Sequence, residues 1–143
     1  MVIRRLIILH VEDNFEEVRL LHRACEAANL AADFHEAPGG LEAVAYLKGD
    51  GDFADRKRHP LPDLIILDLK MPGMDGFEFL QWLRQEPEFR TLPVLVFTAL
   101  STVEDRARAL AEGASGFFMK PPDFPALVKL AETLRQFEPR ETN

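Results

Sequence analysis

Five short apolar segments, each followed by residues with helical spacing, constrain the fold of this chain more than any other feature. The segments lie at residues 6–11, 32–37, 64–69, 94–98 and 116–119. Continuous apolar runs such as Leu64-Ile65-Ile66-Leu67 are typical of strands that are buried on both faces of a sheet. Strict alternation of such strands with helices predicts a parallel sheet that is covered by helices on both sides.

Five strand–helix units predict an α/β fold of the flavodoxin-like (βα)5 type, a doubly wound sandwich with strand order 2-1-3-4-5. The chain of 143 residues has the size of one domain. We therefore expect residues 1–143 to form a single domain, with a core at about residues 5–137 and no separate output domain. Residues 49–62 are polar and charged, which indicates a long loop that is a binding surface or an insertion.

The first predicted helix begins with a pattern of its own, because Asn14 stands three residues before Glu17. An N-cap residue followed at that spacing by Glu is typical of a capping box, in which each side chain binds the other residue's backbone N–H. We therefore expect Glu17 to act on the end of its own helix.

Charge and cysteine content exclude several classes of protein. A net charge of -7 argues against nucleic acid as the main partner, because phosphate backbones are bound by clustered Lys and Arg. No apolar run approaches the roughly 20 residues that a membrane-spanning helix needs. The single cysteine, Cys25, excludes an internal disulfide and a thiolate metal site. We expect a cytoplasmic protein that binds neither nucleic acid nor membrane.

Polar side chains stand where four of the five predicted strands end. Glu12 and Asp13 follow the first strand and Asp68 ends the third, while Thr98 and Lys120 end the fourth and fifth. The carboxyl ends of parallel strands meet at one edge of a sheet, which is also where ligands bind in doubly wound folds. Each residue alone has a simpler interpretation: a helix-start acid, a β-former or a surface lysine. Their convergence on one edge is what indicates a site.

This set of residues has the chemistry for phosphoryl transfer to a carboxylate. Two carboxylates about 4 Å apart repel by roughly 4 kcal/mol at an effective dielectric near 20, so Glu12, Asp13 and Asp68 together require a counterion. Oxygen ligands without His or Cys favour Mg²⁺, with Mn²⁺ as the alternative. Aspartate is a nucleophile that forms aspartyl-phosphate. Lys120 and Thr98 would then bind the oxygens of the transferred group.

The order and spacing of these residues resemble the receiver domain of two-component response regulators, the family that includes chemotaxis response regulators. The resemblance rests on four segments that cover nearly the whole chain: Val11-Glu12-Asp13-Asn14, residues 67–76 (LDLKMPGMDG), Phe97-Thr98-Ala99, and residues 113–121 with Lys120-Pro121. The long loop at 49–62 and the Glu12-Asp13-Asn14 start are similar to stand-alone regulators that pair with phytochrome-type sensor kinases.

The resemblance implies a metal site and a phosphoacceptor. Asp68 would be the phosphoacceptor and also a metal ligand, and Asp13 would bind Mg²⁺ directly. Glu12 would hold the metal largely through water, and the backbone carbonyl of Lys70 would be a further ligand.

The resemblance also implies a switch. Thr98 would supply the hydroxyl that moves toward the phosphoryl group, and Lys120 would pair with a phosphoryl oxygen. Phe117 stands where the family has a switching aromatic residue, and without a hydroxyl it would act by packing alone. The Lys120–Pro121 peptide bond would be cis.

The function implied is that of a phosphoacceptor in a phosphorelay. The protein would receive a phosphoryl group from a sensor histidine kinase or a histidine phosphotransfer protein and change its contacts with a downstream protein or with a second copy of itself. It would catalyse only its own phosphorylation and dephosphorylation. Two alternatives stay open: a degenerate receiver that binds partners without phosphorylation, and an aspartate-nucleophile phosphohydrolase. The hydrolase typically needs an acid where this chain has Lys70.

Overall fold

The computed structural model describes residues 4–99 and 101–139. The strands are β1 (Leu6–Val11), β2 (Ala32–Ala37), β3 (Leu64–Leu67), β4 (Val94–Thr98) and β5 (Gly116–Met119). The helices are α1 (Phe15–Ala27), α2 (Gly40–Lys48), α3 (Gly76–Gln85), α4 (Val103–Ala111) and α5 (Phe124–Thr133), with short 3-10 helices at Gly51–Ala54 and Leu134–Phe137. Within these two segments of the chain, every helix is too short or too polar to cross a bilayer.

The strands form one parallel sheet in the order β2-β1-β3-β4-β5, which confirms the predicted fold class and topology. The third strand is shorter than predicted and ends at Leu67. Asp68 therefore follows the strand instead of lying inside it. The last helix ends at Thr133, and the next residues, Leu134–Phe137, form a 3-10 turn.

Alternate residues of β1 point into two separate cores. Leu6 and Ile8 belong to the apolar cluster that lies between the sheet and helices α1 and α5. Leu9 and Val11 belong to the cluster on the opposite face, beneath α2 and α3. Helices thus cover both faces of the sheet, and the carboxyl edge of the strands is the place left for polar side chains.

The turn between Asp68 and α3 depends on two glycines. Gly73 has a positive φ of 74°, a conformation that residues with a Cβ rarely adopt. A Cβ added at Gly76 would lie 2.3 Å from the backbone carbonyl oxygen of Asp68. Asp75 then caps α3 and forms a capping box with Glu78. The glycines let the chain turn tightly beneath Asp68, and the cap starts the helix at once.

The capping box predicted for α1 is wrong. The Asn14 side chain does cap the helix, and its Oδ1 accepts hydrogen bonds from the backbone N–H groups of Glu16 and Glu17. However, the Asn14 backbone N–H donates to Glu12 Oε2 at 3.1 Å, so the donor that Glu17 would have bound is already occupied. The Glu17 carboxylate instead contacts Lys120.

The long loop at residues 49–62 is held by the side chain of Arg56. Its Nη1 donates to the carbonyl of Tyr46 at 2.8 Å, and its Nη2 donates to the carbonyl of Leu47 at 2.7 Å. These carbonyls belong to the last turn of α2, where few backbone donors remain, and the Tyr46 carbonyl also accepts from the N–H of Gly49 at 3.2 Å. The Tyr46 hydroxyl in turn donates to the carbonyl of Pro60. The loop is therefore fixed to the end of α2.

His10 is a buried polar residue near the carboxyl end of β1. Its side chain is 1% exposed, and Nδ1 has no hydrogen-bond partner within the described residues 4–99 and 101–139. Burial, together with the nearby charge of Lys120, lowers the pKa of His10 to about 3. The imidazole is therefore neutral in the folded protein at physiological pH.

We expect this histidine to make stability depend on pH. In the unfolded chain it takes up a proton near pH 6.5, whereas in the folded chain it stays neutral down to about pH 3. The contribution of neutral His10 to the free energy of unfolding is therefore fully present above pH 6.5 and is lost as the pH falls below it. Between about pH 7 and pH 5 the free energy of unfolding of the wild type should fall by about 2 kcal/mol more than that of His10→Leu. Chemical denaturation at the two pH values measures this difference, and equal losses in both proteins would contradict it.

Replacement of Arg56 should destabilise the fold. Arg56→Met keeps the aliphatic stem but leaves the helix-end carbonyls without their donor, which should lower the free energy of unfolding by about 1–3 kcal/mol. The matched control is Arg58→Met, which removes an exposed arginine two residues away. Urea denaturation should place the control within about 0.5 kcal/mol of the wild type. Equal effects of the two substitutions would show that Arg56 does not hold the loop.

Candidate functional site

Three carboxylates meet where the first and third strands end. Glu12 and Asp68 are buried, with 4% and 5% exposure, and Asp13 is exposed. One carboxylate oxygen from each residue lies within 4.8 Å of the others. The strand pairing explains this placement, because β1 and β3 are neighbours in the sheet and both end at the same edge.

Backbone hydrogen bonds continue past the strands and fix the two buried acids. The N–H of Glu12 donates to the carbonyl of Ala37, and the N–H of Asp68 donates to the carbonyl of Val11. The acids therefore sit one residue beyond their strands yet are still held by the ladder. Their positions relative to each other follow from the register of the sheet.

The carboxylate of Asp68 has a donor on one oxygen and a cation near the other. Thr98 Oγ1 donates a hydrogen bond of 2.8 Å to Oδ1, and Thr98 itself is fully buried. The backbone N–H of Lys70 donates to the same oxygen at 3.4 Å. Lys120 Nζ lies 3.8 Å from Oδ2, beyond hydrogen-bond distance. Asp68 is thus oriented by a hydroxyl and faces an ammonium group.

Lys120 is the one cation of this cluster among the described residues. Its Nζ donates to Glu12 Oε1 at 2.6 Å and also contacts Glu17 Oε2. Burial alone would lower the pKa of Lys120, but its hydrogen bonds to Glu12 and Glu17, together with the charge of Asp68, raise the pKa above the ordinary value. The ammonium is therefore charged.

Glu12 is an acid of the site whose pKa is shifted from the ordinary value. Burial raises the pKa of Glu12, the hydrogen bond from Lys120 opposes this rise, and the neighbouring Asp68 carboxylate adds to it, so that the pKa lies at about 8. An acid that holds a proton this strongly is one whose negative charge lacks full compensation. A divalent cation beside Glu12, Asp13 and Asp68 would supply that compensation.

The donor set fits a hard divalent cation. Carboxylate oxygens are the ligands of Mg²⁺ and Mn²⁺, and neither His nor Cys belongs to the cluster. Lys70, whose carbonyl the family resemblance implies as a further ligand, lies in the turn directly after Asp68 and donates its backbone N–H to the Asp68 carboxylate.

Phe117 lies apart from the cluster of acids, and the Lys120–Pro121 peptide bond differs from the expected isomer. Phe117 pairs in register with Val96 and packs, half-buried, against the cluster that includes Leu69, Phe77 and Ala109. The Lys120–Pro121 bond is trans, so the expected cis bond is wrong. The two isomers of a bond before proline differ little in energy, which is why the sequence does not decide between them.

Glu17 is the site residue that sequence reasoning missed. An acid in the first turn of a helix is favoured by the helix dipole, so its presence needed no further explanation. Its contact with Lys120 joins residues that are 103 positions apart. No spacing pattern in the sequence indicates such a contact.

The comparisons with known proteins agree with this geometry. Residues 8–132 match the family described as the response regulator receiver domain. The chain is 38% identical over 134 residues to the response regulator PleD of Caulobacter vibrioides, and the match covers 92% of this chain and 26% of PleD. The chain therefore spans about a quarter of that relative.

Stand-alone relatives match over nearly their whole length. The response regulator Rcp1 of a Synechocystis species is 28% identical over 131 residues, which cover 92% of this chain and 87% of Rcp1. The phosphorylated cyanobacterial phytochrome response regulator RcpA superposes with a TM-score of 0.84 at 27% identity, over 94% of both chains. The Mn²⁺-bound form of Rcp1 superposes with a TM-score of 0.80 at 27% identity, over 92% of this chain and 93% of Rcp1.

A parallel sheet in the order 2-1-3-4-5, an acidic cluster at its carboxyl edge and a match to one family over residues 8–132 lead to a single conclusion. The chain belongs to the response regulator receiver domain family, whose members are phosphoacceptors in two-component signalling.

Proposed function

We propose that Asp68 accepts a phosphoryl group from the phosphohistidine of a sensor histidine kinase or a histidine phosphotransfer protein. The observation that carries this proposal is the pair of groups around its carboxylate, with the Thr98 hydroxyl on Oδ1 and the Lys120 ammonium facing Oδ2. Both groups can bind oxygens of a phosphoryl group once it is attached.

The transfer is a displacement at phosphorus. A carboxylate oxygen of Asp68 attacks, the P–N bond to the donor imidazole breaks, and the imidazole leaves with the bonding electron pair. The product is an aspartyl-phosphate, and its added negative charge develops beside Lys120. Because Thr98 and the Lys70 amide hold Oδ1, they orient the nucleophile before the donor arrives.

We propose Mg²⁺ or Mn²⁺ as the cofactor, held by Glu12, Asp13, Asp68 and the carbonyl of Lys70. When bound, the cation neutralises negative charge on the transferring oxygens. Two observations support this proposal: the three carboxylates converge within 4.8 Å, and the similar protein Rcp1 has been crystallised with Mn²⁺. Exposed Asp13 is open to a hydrated ion, whereas buried Glu12 is placed to hold its water ligands.

The signal would leave through the surface formed by α4, β5 and α5. The Thr98 hydroxyl would turn from Asp68 to the phosphoryl group, and Phe117 on the neighbouring strand would repack against Ala109 of α4. This surface carries exposed apolar side chains that a partner protein can cover: Val103, Leu110, Met119 and Phe124.

The partners follow from the same reasoning. Similarity to RcpA, a phytochrome response regulator, supports a phytochrome-type sensor kinase as the phosphodonor. The downstream target is a protein or a second copy of this chain, the location is the cytoplasm, and residues 1–143 act as one domain. The two alternatives are less well supported, because every predicted phosphoryl-binding group converges on Asp68 and because Lys70 replaces the second acid of a hydrolase.

Phosphorylation is tested with Mg²⁺ and acetyl phosphate. The wild type should gain about 80 Da in intact mass, the mass of one phosphoryl group, and the gain should be labile to base. Asp68→Asn should show no gain. Asp52→Asn, which removes an exposed acid from the long loop, is the matched control and should behave as the wild type. A folded wild type without the gain would favour the degenerate receiver.

The role of Phe117 is tested by amide NMR spectra recorded with and without acetyl phosphate. In the wild type, phosphorylation should shift amide signals around Asp68 and also in α4. In Phe117→Ala the signals around Asp68 should still shift, while those of α4 should lose most of their response, because the packing between β5 and α4 is gone. Phe53→Ala, in the long loop that packs against Tyr46 of α2, should leave both responses intact. An unchanged α4 response in Phe117→Ala would refute the role.

A further inference from the structure

The ammonium of Lys120 is shared among three carboxylates. It donates to Glu12 Oε1 at 2.6 Å and lies 3.8 Å from Asp68 Oδ2, and its shortest contact is with Glu17 Oε2. A lysine ammonium has three N–H donors. Two of them are thus directed to acids other than the phosphoacceptor, and the distance to Asp68 exceeds that of a hydrogen bond.

The local structure of α1 directs Glu17 toward this lysine. Glu12 Oε2 occupies the Asn14 amide, so the usual partner of a capping-box glutamate is unavailable to Glu17. Lys120 also lies in a half-buried position, where an ion pair is less screened than on the open surface. The ion pair therefore holds the lysine side chain on the α1 side of the site.

We propose that Glu17 is a positioning residue that restrains phosphorylation by holding the Lys120 ammonium away from Asp68. This inference rests on the proposed function and deepens it. For Lys120 to bind a phosphoryl oxygen, the ammonium must move toward Asp68 and loosen its contact with Glu17. The carboxylate of Glu17 also adds negative charge beside the carboxyl groups of Glu12, Asp13 and Asp68, which opposes the approach of an anionic phosphodonor.

Neutralising Glu17 should therefore speed phosphorylation. In Glu17→Gln, the rate constant for phosphorylation by acetyl phosphate with Mg²⁺ should rise about 3- to 10-fold, the size expected for loss of one partly exposed ion pair. Glu16→Gln is the matched control, because it removes the same charge from the preceding, exposed residue of the same helix turn. Its rate should stay within about 2-fold of the wild type, since it changes the helix dipole environment equally but does not contact Lys120. Glu17→Asp keeps the charge on a shorter side chain and should give an intermediate rate.

A second readout does not depend on phosphorylation. The side-chain NMR signal of the Lys120 ammonium, recorded on the unmodified protein, should shift in Glu17→Gln and stay in place in Glu16→Gln. Circular dichroism and thermal melting establish that each variant is folded. A merely structural role for Glu17 would alter the melting temperature without raising the phosphorylation rate.

The outcomes separate the two proposals. A wild type that gains no phosphoryl group would overturn the proposed function and this inference with it. A wild type that is phosphorylated, together with a Glu17→Gln rate that falls or stays equal to that of Glu16→Gln, would overturn the restraint by Glu17 alone. A faster Glu17→Gln combined with a shifted Lys120 signal supports it.

Discussion

Burial of two carboxylates at the end of an apolar sheet is the constraint to which the rest of the site responds. Glu12 and Asp68 lie within a few ångströms of each other and are almost fully enclosed. Such groups are stable only when donors and cations surround them. The Thr98 hydroxyl and the Lys120 ammonium partly meet that need. The divalent cation that we propose for this site would compensate the negative charge that remains among the three carboxylates.

The fold could be predicted because three of its strands, β1, β3 and β4, are buried on both faces. Continuous apolar runs such as that of β3 predict buried strands. Their alternation with helices predicts a parallel sheet of this topology. The site followed from the same logic, since Asp68, Thr98 and Lys120 stand at the carboxyl ends of β3, β4 and β5, which lie side by side in one parallel sheet. Strand ends were less certain: β3 ends at Leu67 because Asp68 already faces the site.

Other features depend on contacts that local patterns do not encode. The partner of Glu17 was decided by Glu12, which occupies the Asn14 amide. The order of the loop at 49–62 was decided by Arg56, whose reach to the end of α2 is a tertiary contact. In both cases a contact between residues far apart in the sequence decided what the local pattern left open.

The hydrogen bond between Lys120 and Glu12 joins residues that are 108 positions apart. Closing so long a stretch of chain costs entropy that only the docking of the last strand and helix can offset. The acids and the hydroxyl can come together earlier, when the first four strands are paired. During synthesis on a ribosome, the growing chain would thus present its acids without their cation until the final segment emerges. The arrangement that accepts a phosphoryl group is therefore complete only in the fully folded chain, and a partly folded molecule would not be phosphorylated.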